Sequence, residues 1–263
     1  MSGSEIRTGR LFQAASGRSF MVALDRTLSV GPEEYAENSD ALIASVVAAG
    51  ADAMLLSPGL IRRHGHRVSF RGGPALVARI DFPFMYESTQ GSGEEFRLIC
   101  GVEEAVALGA DAVVVFLTTA VHNRRVFADN AAAVGTVAER CRRLGVPLVV
   151  EAVPWGAASP DPRDPELVAQ SARIAVELGA DVVKTENLDD PEAMRHVIAS
   201  CAVPVLLLGG PKLPLPELLA RTERGLECGA RGVVFGRNSW QRPDASEAME
   251  ALRSLVHGGR SDQ

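Results

Sequence analysis

Gly179-Ala180-Asp181-Val182-Val183-Lys184-Thr185 decides how the chain is read. An amphipathic run stops at the glycine. A small residue and an aspartate follow, and then a short apolar strand that ends on a lysine. A parallel strand buried on both faces is normally filled with Val, Ile and Leu. A lysine at its end has two options. It reaches out to solvent along its apolar stem, or it sits desolvated, where burial disfavours the charged form and leaves a nucleophilic amine. Seven residues do not choose between these, so the pattern around them has to.

That pattern repeats. Ala48-Ala49-Gly50-Ala51-Asp52-Ala53-Met54-Leu55-Leu56 and Leu108-Gly109-Ala110-Asp111-Ala112-Val113-Val114-Val115-Phe116 carry the same phrase. Cys228-Gly229-Ala230-Arg231-Gly232-Val233-Val234-Phe235 carries a looser one. In each, a helix ends at a glycine able to take the left-handed C′ conformation, and a buried strand begins at once. Leu144-Gly145-Val146-Pro147-Leu148 and Cys201-Ala202-Val203-Pro204-Val205 use proline at the strand start instead. With Phe20 to Asp25 and Ala75 to Asp81, the phrases predict eight strands, over 19–25, 52–57, 75–81, 110–117, 147–153, 181–185, 204–209 and 231–235. Helical periodicity is expected over 34–49, 94–108, 130–144, 165–178, 191–200, 216–228 and 245–257. Strand–helix alternation with buried strands means a parallel sheet. Eight repeats in 263 residues fit an α/β fold of the (β/α)8 TIM-barrel type, which needs about 250 residues. An open dinucleotide-binding sheet would show Gly-x-Gly-x-x-Gly after its first strand, whereas here that strand ends Leu24-Asp25-Arg26-Thr27. Residues 1–263 therefore read as one domain. Residues 1–18 form a segment capping the barrel bottom, and residues 258–263 a frayed tail.

Composition narrows the function. The chain is 46% hydrophobic and 23% charged, with a net charge of −6 and no long basic run, which argues against a nucleic-acid partner. No apolar run reaches membrane-spanning length, and the N-terminus shows no basic-then-apolar signal segment. Cys100, Cys141, Cys201 and Cys228 are scattered without metal-ligand spacing, as expected of reduced thiols in a cytoplasmic protein. The five histidines are dispersed. The one close pair, His64 and His66, is expected on a solvated loop. No metal site and no cofactor is expected.

In barrel enzymes the site forms at the C-terminal ends of the strands and in the loops after them. Those ends carry Asp25, Ser57, Asp81, Thr118, Glu151, Lys184, Gly209-Gly210 and Gly236-Arg237. Side chains alternate along a strand. Met21, Ala23 and Asp25 therefore share a face, as do Val149, Glu151 and Val153, and Val182 and Lys184. Asp25, Glu151 and Lys184 can thus point into one mouth, and three ionisable groups converging there are hard to explain as packing. Gly209, Gly210, Gly236 and Arg237 lie after the last two barrel strands, where such folds often hold a phosphate on backbone N–H groups. Lys212 is a second candidate cation. Ordinary tight turns would use the same glycines. The loops Asp81 to Tyr86 and Ala157 to Asp164 are expected either to line the mouth or to be plain surface.

These residues resemble the archaeal-type (DhnA-type) class I fructose-bisphosphate aldolases, within the deoxyribose-phosphate aldolase superfamily. The resemblance covers nearly the whole chain, through Arg10-Leu11-Phe12, Ala23-Leu24-Asp25, Val183-Lys184-Thr185, Gly209-Gly210-Pro211-Lys212 and Gly236-Arg237-Asn238-Ser239-Trp240-Gln241. It implies a Schiff-base lyase with Lys184 as the imine-forming lysine and Asp25 assisting carbinolamine and proton steps. It also implies a substrate phosphate on Gly209, Gly210, Gly236 and Arg237, a small phosphorylated keto substrate such as dihydroxyacetone phosphate, and a homo-oligomer. The sequence departs from the family twice. Arg26-Thr27 stands where His-Gly usually follows the first-strand aspartate. Val153 stands where the fifth strand usually offers a tyrosine as general acid/base. Valine moves no proton, and Glu151 on the same face is the expected substitute; tagatose-bisphosphate-type aldolases look similar in placing a glutamate there. A transaldolase of the aminodeoxyheptulosonate type, an autoinducer-2-type thiolase and a non-catalytic phosphosugar sensor remain open alternatives.

Overall fold

A computed structural model describes residues 3–83, 96–156, 158 and 161–258. Ten strands are present among them: β1 (Ser19–Ala23), β2 (Ala53–Leu56), β3 (Ala75–Arg79), β4 (Asp81–Pro83), β5 (Phe96–Leu98), β6 (Ala112–Thr118), β7 (Leu148–Val153), β8 (Val182–Thr185), β9 (Val205–Leu208) and β10 (Gly232–Phe235). Eight of them close a barrel in the order β1-β2-β3-β6-β7-β8-β9-β10, and β4 pairs only with β5. Every barrel pairing is parallel, including the closing one, where Ser19 lies opposite Gly232.

Alternation along the strands builds two apolar shells. Met21, Leu55, Val77, Val114, Val149, Val182, Leu206 and Val234 point inward. Their neighbours Val22, Met54, Leu76, Val113, Val150, Val183, Leu207 and Val233 point outward under the helices. Helix α1 (Gly3–Leu11) lies before the first strand, and its fully buried Leu11 packs with the inward shell. It is followed in chain order by α2 (Thr27–Val30), α3 (Ser39–Ala48), α4 (Pro58–His64), α5 (Val102–Ala107), α6 (Arg124–Leu144), α7 (Pro165–Glu177), α8 (Pro191–Ser200), α9 (Leu215–Glu227), α10 (Arg237–Trp240) and α11 (Ala245–His257). None of these helices is long and apolar enough to cross a membrane.

The recurring Gly-Ala-Asp phrase has a physical cause. Gly50, Gly109, Gly179 and Gly229 all take positive φ directly after the capping residue, two residues past the last helical one, which costs a glycine little. The aspartate two residues later then reaches back to the preceding barrel strand. Asp52 accepts from the Phe20 N–H at 2.6 Å, Asp111 from Leu76 at 2.9 Å and Asp181 from Leu148 at 2.8 Å. Each aspartate fixes the register of its strand against the one before. In the fourth phrase Arg231 replaces it, and Arg231 Nε donates to the Gly17 carbonyl at 2.7 Å.

Gly232 is the tightest point of the closure. Its φ is +133°, and a Cβ there would sit 2.0 Å from the Ser19 carbonyl oxygen. Gly232→Ala is expected to cost at least about 3 kcal/mol through strain and clash together. A thermal unfolding midpoint equal to the parent's would show that the strand edge can give way.

Local structure differs from the sequence reading in several places. The helix expected from residue 130 is α6, which already starts at Arg124, where the Asn123 side chain accepts from the Arg125 N–H at 3.0 Å. The helix expected from residue 34 starts at Ser39, because Tyr35 takes φ +67° and the Asn38 side chain caps the Ala41 N–H at 3.0 Å. The helix expected over 94–108 is α5, Val102–Ala107, preceded by an antiparallel β4–β5 pair that the periodicity did not predict; three residues, Phe96-Arg97-Leu98, are too few to register as strand alternation. His64 ends α4 and His66 lies in the 3₁₀ turn Gly65–Arg67, not in a loop, with His64 Nδ1 3.3 Å from Asp40. Of the two loops considered for the mouth, Phe84 to Tyr86 and residues 157, 159 and 160 lie outside the described residues, as does the tail over 259–263.

Candidate active site

The strand ends meet at one cavity. Asp25, Arg26, Arg79, Phe116, Glu151, Trp155, Lys184, Gly209, Gly210, Gly236 and Arg237 all line it. Asp25, Glu151, Lys184 and the four loop residues Gly209, Gly210, Gly236 and Arg237 are therefore in the same place, whereas Asp81 is not among the lining residues. Ser57 instead caps α4 by accepting from Leu60 N–H at 3.3 Å. Lys212 donates to the Gln241 carbonyl at 3.2 Å and does not line the cavity.

The floor is ionic. In register across the sheet, Phe116 lies beside Glu151 and Glu151 beside Lys184, so strand alternation delivers all three side chains inward. Lys184 Nζ stands 2.6 Å from Glu151 Oε1, with 7% and 4% of the two side chains exposed. The other Glu151 oxygen accepts from Arg79 Nη2. Arg79 also donates through Nε to Asp25 at 2.8 Å and through Nη1 to Asp81 at 3.2 Å. Its carbon lies 4.1 Å from the centre of the Phe116 ring, a cation–π contact. The Phe116 N–H donates to the second Asp81 oxygen at 2.6 Å. Two cations thus face three carboxylates, none of the five with more than 13% of its side chain exposed.

The fields here have clear directions. For Glu151, burial opposes ionisation, but the Lys184 and Arg79 charges outweigh it and hold the carboxyl below its usual range. For Asp81 burial wins over the single guanidinium and the acid is pushed up to about 6. Arg79 is likewise penalised by burial, yet Asp25, Glu151 and Asp81 together raise its proton affinity further.

One wall is aromatic. The Phe116 and Trp155 rings lie 5.8 Å apart, and both pack with Val153 and Leu208. Val153 is fully buried in that apolar patch. Trp155 Nε1 donates to Glu186 at 3.1 Å, and burial raises the Glu186 carboxyl above its ordinary range. The opposite rim is backbone. Gly209 and Gly210 follow β9, and Gly236 and α10 follow β10. Asn238 ties the two loops together, donating to the Gly209 and Pro211 carbonyls at 2.7 and 2.9 Å and accepting from Leu213 N–H at 3.0 Å. Arg237 Nη2 donates to the Gly210 carbonyl at 2.9 Å. Cβ atoms added at Gly209 or Gly236 would touch Phe235 at 3.2 Å or the Ala23 oxygen at 3.0 Å, so both loops are already at closest approach.

Sequence reasoning missed Arg79 and Glu186. Arg79 had a signal. A charged residue inside Ala75-Leu76-Val77-Ala78-Arg79-Ile80 must be buried with partners, and the alternation that places Val77 inward places Arg79 inward too. Glu186 follows a strand end and carried no comparable mark. Among the described residues no group of three His, Cys, Asp or Glu side chains is arranged to hold a metal ion.

Comparison with known proteins gives a consistent result. A family model described as DeoC/LacD family aldolase matches residues 19–242. The class 1 fructose-bisphosphate aldolase of Thermoproteus tenax is 33% identical, with 95% of this chain and 94% of that protein covered. The 2-amino-4,5-dihydroxy-6-oxo-7-(phosphonooxy)heptanoate synthase of Streptomyces griseus is 34% identical, with 96% and 89% covered. A solved archaeal fructose-1,6-bisphosphate aldolase, with its catalytic lysine covalently bound to the carbinolamine intermediate of the substrate, superposes with a TM-score of 0.83 at 30% identity, covering 97% of this chain and all of that one.

Proposed function

The chain belongs to the DeoC/LacD aldolase family, and from that premise we propose that it makes or breaks a carbon–carbon bond next to a phosphorylated ketone through an imine on Lys184. The observation that carries this reading is the Lys184–Glu151 pair, 2.6 Å apart, in a cavity rimmed by the Gly209-Gly210 and Gly236-Arg237 loops.

The geometry supports the following steps. Lys184 passes a proton to its carboxylate neighbour, and the free Nζ lone pair attacks the ketone carbon. The carbonyl oxygen takes up two protons, one from the attacking nitrogen and one that Glu151 had accepted, and leaves as water, giving an iminium ion and returning Glu151 to its carboxylate form. Asp25 assists that dehydration and its reversal. In the cleavage direction Glu151 takes the proton from the aldehyde-side hydroxyl, the carbon–carbon bond breaks, and its electron pair flows into the iminium to give an enamine. Protonation of the enamine carbon and hydrolysis release the ketone. The iminium itself is the electron sink, so the reaction calls on no metal. Gly209, Gly210, Gly236 and Arg237 hold the phosphate. Dihydroxyacetone phosphate, or a ketone like it, is the donor.

The test is borohydride trapping. Incubation with dihydroxyacetone phosphate followed by sodium borohydride is expected to add the reduced donor's mass to the peptide holding Lys184. No adduct with this or any phosphorylated ketone overturns the reading in favour of a sensor. Arg237→Ala is expected to raise KM for the donor about tenfold or more, the worth of one charge-assisted hydrogen bond, with a much smaller change in kcat. An unchanged KM would take Arg237 out of the phosphate site.

A second reading is favoured by one observation. Val153 stands in the apolar patch where the aldolase pattern has a tyrosine, and the Streptomyces griseus relative is a synthase of an aminoheptanoate phosphate. The same imine chemistry would then transfer the donor unit to an acceptor. Product analysis with and without a second aldehyde, or with coenzyme A for a thiolase, separates these outcomes.

A further inference from the structure

We infer that Arg79 is a positioning residue for this reaction, its guanidinium fixing Asp25 and Glu151 as one array facing Lys184. The inference rests on the Schiff-base reading above and adds to it the device that holds the acid and base groups still.

Topology puts Arg79 where such a device has to be. It lies on β3, with β1 two places to one side, leading into Asp25, and β7 two places to the other, carrying Glu151. Each guanidinium nitrogen serves a different carboxylate: Nε to Asp25, Nη1 to Asp81 and Nη2 to Glu151. A planar fork can do this and a lysine's point charge cannot. The plane is itself held. Phe116 lies against it at 4.1 Å, and the Phe116 amide grips the second Asp81 oxygen.

Packing does not account for this arrangement. The barrel layer beneath is apolar throughout, and replacing a buried ion cluster by apolar side chains of similar volume is often neutral or stabilising. Four charged groups tied into one fork are costly as filler. They make sense as a way to aim two carboxylates. Glu151 is the clearest case. One oxygen is held by Arg79 and the other meets Lys184 Nζ at 2.6 Å, so the carboxylate cannot turn away and a single oxygen faces the amine. Asp81 contacts Arg79 and the Phe116 amide and does not line the cavity. It acts through Arg79.

The experiment uses the full-length protein and measures the rate of borohydride-trappable adduct formation against dihydroxyacetone phosphate concentration. In Arg79→Lys the maximal trapping rate is expected to fall about a hundredfold, the scale of misplacing reacting groups by an ångström, while the half-saturating concentration stays as in the parent. Asp81→Asn, which keeps Arg79 but turns a donor toward Nη1, is expected to lower the maximal rate about tenfold in the same manner, an order of magnitude consistent with a smaller misplacement. A folded Arg79→Lys that traps at the parental rate overturns the inference alone. If that variant does not fold, Asp81→Asn decides, and a parental rate there overturns it. Loss of rate together with loss of saturation means a collapsed cavity and a purely structural arginine, which also overturns it. A parent protein that traps nothing overturns the Schiff-base reading and this inference with it.

Discussion

Lys184→Ala is expected to abolish turnover, by on the order of 10⁴-fold or more given what loss of a covalent nucleophile costs other enzymes, and to abolish the borohydride adduct completely. No other amine can take over. Among the cavity-lining residues the remaining nitrogen cations are arginines, which stay protonated and are poor nucleophiles. The fold is expected to survive. Glu151 keeps its second cation, Arg79, so no carboxylate is left without a partner, and the missing side chain opens onto a solvent-connected cavity rather than a sealed core. Thermal unfolding should therefore remain cooperative. Residual turnover above the buffer rate, in a folded sample free of parental enzyme, would end the imine mechanism.

Glu151→Gln separates covalent capture from proton transfer. Turnover is expected to drop 10²- to 10⁴-fold, the usual contribution of a positioned general acid or base, while the adduct at Lys184 still forms, more slowly because Glu151 is also the group that takes the Lys184 proton. A stability cost accompanies it. The amide nitrogen must face either Arg79 or Lys184, which places donor against donor and leaves a buried cation short of its counter-charge, at a cost of about 3–5 kcal/mol. The pH dependence carries the sign. The Glu151 carboxyl is held below its unfolded value of about 4.3, so its stabilisation is present above that pH and fades as pH falls through the depressed value. The Gln variant lacks this acid-side loss. Asp81 works the other way. Raised to about 6, it weakens the fold as pH climbs from about 4 toward 6. Unchanged kinetics in Glu151→Gln would return the acid/base role to another group, and Glu186 behind Trp155 is the next carboxyl to vary.

The barrel was legible because its signal is repeated. Glycine followed by aspartate and an apolar run recurs at intervals that only a strand–helix alternation explains, and the eight observed barrel strands fall within a residue or two of their expected bounds. The candidate site was legible for the same reason, since strand ends mark one face of the barrel and alternation marks which side chains reach it. Two things were hidden. Tyr35 takes a left-handed conformation that no local periodicity announces, so the periodicity carries α3 past its true start at Ser39. Arg79 is visible in the sequence, but it ends β3 two residues before Asp81, where the apolar run alone marks the strand end. What it does depends on Asp25 and Glu151 arriving from distant parts of the chain, and no single stretch of sequence contains that meeting.

The exception among the glycine phrases has a consequence for how the molecule is made. The three Gly-Ala-Asp phrases tie a strand to its immediate predecessor, so most of the sheet can zip up in the order it is synthesised. The Arg231–Gly17 bond joins positions 214 residues apart, and the entropy of closing so long a loop places that seam late in assembly. The seam divides the cavity. Asp25 follows β1 on one side of it, while Gly236 and Arg237 follow β10 on the other. A nascent or half-folded chain therefore carries Lys184 and Glu151 on neighbouring strands but no finished cradle around them. On the proposed reading, Lys184 gains its complete substrate cradle only when the seam shuts and the last strand docks against the first.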